Sequence, residues 1–164
     1  MANQVIELTE KRILEVEGLP YLALQLEPKF AVAIALAQVQ ETFIAPRDRL
    51  TLLPNMPAHV LGLIAHRSMV FWVIDLPHLF GLGLLEPSSR EYQIAVLRSA
   101  DGEPLGIAVE AVKDVIRLTL EEISSPDGIA DPSLIPYLEG CVSRFQGNLW
   151  VLNAEKIMSL STQF

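Results

Sequence analysis

Glu41 and Arg67 stand out chemically, because each places a charge in an otherwise apolar stretch, Val39-Gln40-Glu41-Thr42-Phe43-Ile44 and Gly62-Leu63-Ile64-Ala65-His66-Arg67. Two readings are open. Each is a solvated strand end, or the two meet across neighbouring strands and mark a binding face. Arginine suits such a face, because its planar fork combines hydrogen bonding with stacking. Other chemistry is hard to assemble. His59, His66 and His78 form no helical i, i+4 pair, and with a single cysteine they lack metal-ligand spacing. Cys141 sits in an apolar run and reads as a small core hydrophobe, not as a nucleophile. No Gly-x-Ser-x-Gly elbow occurs, Gly81-Leu82-Gly83 does not open a phosphate-cradling helix, and no pair of carboxylates suggests an acid and a base. The expectation is a non-catalytic protein with no metal and no cofactor.

The elements that hold these residues follow from composition and punctuation. A chain of 164 residues, 51% hydrophobic and 20% charged, can fill the core of one compact domain or of two small lobes. A net charge of −8 without any Lys/Arg cluster argues against nucleic acid, which demands a basic stripe. The stretch Leu50–His66 is broken by Pro54, Asn55, Pro57 and Gly62 and is too short to span a bilayer. Residues 1–18 read as an N-terminal extension, too rich in charge (Glu7, Glu10, Lys11, Arg12, Glu15, Glu17) for a signal peptide. One cysteine permits no internal disulfide. These features lead to the expectation of a cytoplasmic protein without membrane insertion.

Short apolar runs bounded by Gly, Pro, Asp and Asn predict an all-β chain. The expected strands are Tyr21–Glu27, Phe30–Leu36, Gln38–Ile44, His59–His66 and Met69–Ile74, then Tyr92–Ser99, Leu105–Val109, Ala111–Thr119, Tyr137–Phe145 and Leu149–Leu152. Pro28-Lys29 and Ser99–Gly102 read as hairpin connections, and Glu86–Arg90 as a linker between lobes at about 20–85 and 91–160. The two sets repeat. An offset of 78 puts Gly62 on Gly140, Trp72 on Trp150, Asp75 on Asn153 and Leu79 on Ile157, while an offset of 73 puts Ile34 on Ile107 and Glu41 on Asp114. Asp75 and Asn153 each end an apolar strand before helical spacing begins, which predicts two helix N-caps. Met69–Ile74 is apolar at every position, as a strand would be if its lobe packed on the other across an apolar outer face.

The run from Gly62 through Arg67-Ser68 to Asp75-Leu76 resembles the signature of the CheW domain, in which a Gly, an Arg-Gly turn and a Pro-x-x-Asp-Leu strand end recur at this spacing. Val39-Gln40-Glu41, Leu53–Pro57, Gly106–Val112 and Gly140 with Leu149–Leu152 resemble its other segments, so the likeness covers about residues 20 to 160. Ser68 stands in place of the turn Gly, Trp72 in place of the strand Pro, and Glu110 in place of an Asp. The resemblance implies a single CheW-like domain of two five-stranded, SH3-like β-barrel lobes packed together. It also implies an adaptor that joins the regulatory domain of a CheA-like histidine kinase to the cytoplasmic tip of chemoreceptors, at membrane-associated receptor arrays. By position, Val39, Glu41, Gly62, Arg67 and Ser68 match the receptor-contact region, while kinase contacts stay unassigned. The alternative is a small-ligand-binding β-barrel, which would need a cavity within or between the lobes.

Overall fold

The computed structural model describes residues 18–83, 90–98, 100, 102–143 and 147–164. Most of the N-terminal extension and of the Glu86–Arg90 linker, part of the Ser99–Gly102 turn and the end of the Tyr137–Phe145 run lie outside the described residues. All ten expected strands form, with ends shifted by a few residues: β1 (Leu19–Glu27), β2 (Phe30–Ala35), β3 (Val39–Pro46), β4 (Val60–His66), β5 (Met69–Asp75), β6 (Glu91–Arg98), β7 (Pro104–Val109), β8 (Ala111–Leu118), β9 (Leu138–Val142) and β10 (Leu149–Leu152). Helix α1 (Leu76–Leu79) follows β5, and α2 (Ala154–Met158) follows β10.

The strands form two five-stranded sheets, ordered β8-β1-β2-β10-β9 and β3-β6-β7-β5-β4. This corrects the lobe boundaries expected at 20–85 and 91–160. Each half of the chain gives its first hairpin to the last three strands of the other half. The exchange is seen at the parallel pairs, β2 beside β10 and β7 beside β5, each drawn from opposite halves. A tight turn joins antiparallel strands only, so a parallel neighbour comes from a strand more distant along the chain.

The repeat itself holds in register. Trp150 stands opposite Val32, and the Val73–Gly106 pairing places Trp72 opposite Leu105, the counterpart of Val32. Each lobe has a bulge in the same place, at Leu61 and at Glu139. In each, a backbone bridge ties the segment before that strand to the strand itself, Thr51 to Leu63 and Ser124 to Cys141.

Alternation along the central strands divides the core in three. Phe71, Val73, Ile94, Val96 and Ala108 fill one lobe, and Tyr21, Ala33, Leu118, Leu149 and Val151 fill the other. The opposite faces of the same strands, with Val32, Ile34, Ile74, Leu105, Ile107 and Leu152, meet between the sheets in the largest cluster. From Phe71 onward β5 is covered on both faces and has no polar side, which accounts for its apolar run there; Val70, at the start of the run, is exposed.

Asp75 and Asn153 cap their helices as expected: Asp75 Oδ1 accepts from the His78 amide at 3.0 Å, and Asn153 Oδ1 accepts from that of Lys156 at 3.2 Å. Asp75 is 1% exposed, the buried charged residue of the core among the described residues. Asp75→Ala should therefore cost about 2 kcal/mol, the upper end for a lost cap, and Asn153→Ala about 1 kcal/mol. Urea melts of both variants check the order; a larger loss at Asn153 would contradict it.

Candidate functional site

Alternation along β3 turns Val39, Glu41, Phe43 and Ala45 toward the protein and leaves Gln40, Thr42, Ile44 and Pro46 exposed. Glu41 is thus a carboxylate on the inner face of an edge strand. The other edge of that sheet is β4, and the lobe closes where the two edges approach. Thr51 pairs with Leu63 at this seam, and Arg49 donates to the Ala65 carbonyl at 2.5 Å. At its outer end Glu41 Oε1 lies 2.8 Å from His66 Nε2, and Oε2 lies 3.4 Å from Arg67 Nε. The His66 ring stacks flat on Phe43, with centroids 3.8 Å apart and planes 5° apart.

Glu41 and Arg67 do meet, but across the seam between the two sheet edges and not across hydrogen-bonded neighbours. The Arg67 side chain is 75% exposed, against 18% for Glu41. That exposure carries Arg67 into solvent. His66 is not among the expected site residues. The period of two that turns Gly62 and Ile64 inward on β4 also turns His66 toward Glu41, and this is the signal available in the sequence.

The other expected site residues separate. Val39 is half-buried opposite Leu97 and packs on the core between the sheets. Gly62 is buried, so it offers no surface; its φ of +143° and the Thr51 carbonyl against its Cα make it a closing point of the seam. Arg67 and Ser68 form the two-residue turn between β4 and β5, closed by the His66–Met69 pair. Their φ values, +48° and +66°, are the left-handed ones that a type I′ turn demands and that glycine adopts at least cost. Ser68→Gly should accordingly stabilise the chain by about 1 kcal/mol. A urea midpoint at or below that of the parent would count against a strained turn.

Trp72, where the resembled signature has Pro, is half-buried and meets the Phe164 ring edge-on at 5.5 Å. His59 lies under the same phenyl ring, 6.0 Å away. Burial, with a smaller push from His78, lowers its pKa below the ordinary 6.5. As pH falls, the unfolded chain therefore protonates His59 before the folded chain does. Stability is full above pH 6.5 and declines below it. His59→Gln should flatten that decline in melts between pH 7.5 and about 5; an unchanged profile would exclude His59 as its source.

Among the described residues no three His, Cys, Asp or Glu side chains gather as metal ligands, and no helix is long and apolar enough to cross a membrane. Both lobe interiors hold apolar side chains. A depression of about 340 Å³ at one end of the β1–β2–β8 lobe is lined by Ala23, Gln25, Lys29, Lys113, Asp114 and Leu149, among others.

Comparison with known proteins bears on this geometry directly. Residues 21–161 match the CheW-like domain. A probable chemotaxis protein CheW of Rhizobium etli is 32% identical over 76 residues, 46% of this chain and 47% of that protein. The chemotaxis protein CheW of Klebsiella aerogenes is 28% identical over 126 residues, 77% of this chain and 74% of its own length. The matches to the two Rhizobium proteins span about half the length of each. The crystal structure of the scaffolding protein TtCheW from Thermoanaerobacter tengcongensis superposes with a TM-score of 0.70 at 22% identity, covering 83% of this chain and 89% of that one. The architecture is therefore the expected one, mainly β, in two five-stranded SH3-like lobes. With the fold, the order of motifs and the span of the match in agreement, the chain belongs to the CheW-like domain family.

Proposed function

We propose that this chain is a non-catalytic scaffold that couples a CheA-type histidine kinase to the cytoplasmic tip of chemoreceptors, in the cytoplasm at receptor arrays. One observation carries the reading: a hairpin tip holds an exposed arginine against a half-buried acid on a chain of net charge −8. A cation so placed is suited to recognition, since an exposed ion pair adds little to stability. The names of the relatives, chemotaxis proteins CheW, support the same role. On this reading Val39, Glu41, Arg67 and Ser68 border the receptor face, and Gly62 shapes it from beneath.

The direct test is binding of the purified chain to two purified partners, the regulatory domain of a CheA-type kinase and a soluble receptor-tip fragment. Binding to both at once is expected. Binding to neither would end the proposal.

A further inference from the structure

We infer that His66 is a positioning residue of this surface: it holds the Glu41 carboxylate so that Arg67 is engaged through Nε alone and turns the rest of its guanidinium to a carboxylate of the partner. The inference rests on the receptor-face reading above. The distances rank the contacts, because Glu41 Oε1 is 2.8 Å from His66 Nε2 while Oε2 is 3.4 Å from Arg67 Nε. Glu41 Oε1 and His66 Nε2 are both buried and lie in close polar contact, without the alignment of a hydrogen bond. Stacking on Phe43 fixes the imidazole plane and with it the place of Nε2 beside the carboxylate. Without that hold, the carboxylate would be free to take the Arg67 fork in a bidentate pair, the geometry the two groups prefer. Such a pair would occupy the donors that a partner needs.

The internal repeat supplies a control. The other lobe closes by the same backbone bridge, Ser124 to Cys141. There the counterpart of Glu41, Asp114, is exposed, and Ile116 stands where Phe43 does. An acid held from inside is therefore not a requirement of this barrel, and its presence beside the exposed arginine marks a role at the surface. A basic partner group is disfavoured, because the Glu41 carboxylate is already shared between two nitrogens.

His66→Leu keeps an apolar contact with Phe43 and removes the nitrogen; His66→Gln retains a donor and serves if the leucine variant does not fold. His66→Leu is expected to weaken binding of a receptor-tip fragment about tenfold, the scale of coupling between residues in direct contact. Binding of the kinase regulatory domain is expected to stay within about twofold. His66→Gln should restore part of the loss. In the free chain, the Arg67 Nε–H signal should change its solvent-exchange rate in His66→Leu, which general destabilisation would not produce at this one group. Receptor-tip affinity unchanged in His66→Leu but lost in Arg67→Glu would overturn the positioning role alone. Affinity unchanged in Arg67→Glu would overturn the receptor-face reading and this inference together.

Discussion

An alanine at position 62 should cost the chain about 3–5 kcal/mol, enough to unfold much of it at ordinary temperature. Two effects add there. The φ of +143° is one that an L side chain rarely adopts, and the new methyl would run into the Thr51 carbonyl, whose oxygen belongs to the bridge that closes the lobe. Neither can relax without the other. Moving Thr51 away breaks its paired hydrogen bonds with Leu63, 2.8 and 2.9 Å long, and opens the seam beneath Glu41 and His66. Gly140, the counterpart in the other lobe, faces the Ser124 carbonyl and Ile123 but has no positive φ, so Gly140→Ala should cost less, about 1–3 kcal/mol. Gly128 has a φ of +79° and open space around it, so Gly128→Ala isolates the backbone strain, about 1 kcal/mol. Urea denaturation of the three variants should rank them in that order. A Gly62→Ala protein as stable as the parent would mean that the seam is not closed by this approach.

The sequence made the elements legible but not their partners. Runs such as Leu149–Leu152 show apolar character and punctuation, and these depend on local residues alone. Asp75 and Asn153 were readable because a cap acts within three residues of itself. The exchange of hairpins was not readable, because nothing local distinguishes a β2 that pairs with its own half from one that pairs with β10. The repeat offsets did carry the information indirectly. A change from 73 to 78 between β3 and β4 says that the two halves are equivalent strand by strand, yet it fits a swapped and an unswapped pair equally well. At the site the same limit applies. Glu41 and Arg67 draw attention as charges among apolar neighbours, whereas His66, only moderately polar, does not. Its place in a motif assigns Gly62 to the contact surface, and burial moves it to the seam, where a glycine is needed for backbone approach.

Reversing the charge at Arg67 should separate folding from binding more sharply than any other single change. The Arg67 side chain is 75% exposed, and its tie to Glu41 is a single contact of 3.4 Å. Exposed pairs of this kind contribute about 0–1 kcal/mol, so Arg67→Glu should lower the melting temperature by only a few degrees. Part of that loss comes from placing a second carboxylate beside Glu41. Binding is another matter. If a receptor carboxylate meets Arg67, the reversal sets two negative charges against each other in a desolvated contact, at a cost of several kcal/mol, or about a hundredfold and more in affinity. Rising salt should weaken the parent complex and narrow the gap between parent and variant, because screening acts on attraction and repulsion alike. Kinase binding should change less, since the proposed reading assigns this hairpin to the receptor. Titrations of the variant against both partners, at low and at physiological salt, give all four quantities. Equal losses for both partners would show that Arg67 supports the fold of the tip and not one interface, and unchanged receptor affinity would remove the hairpin from the receptor face.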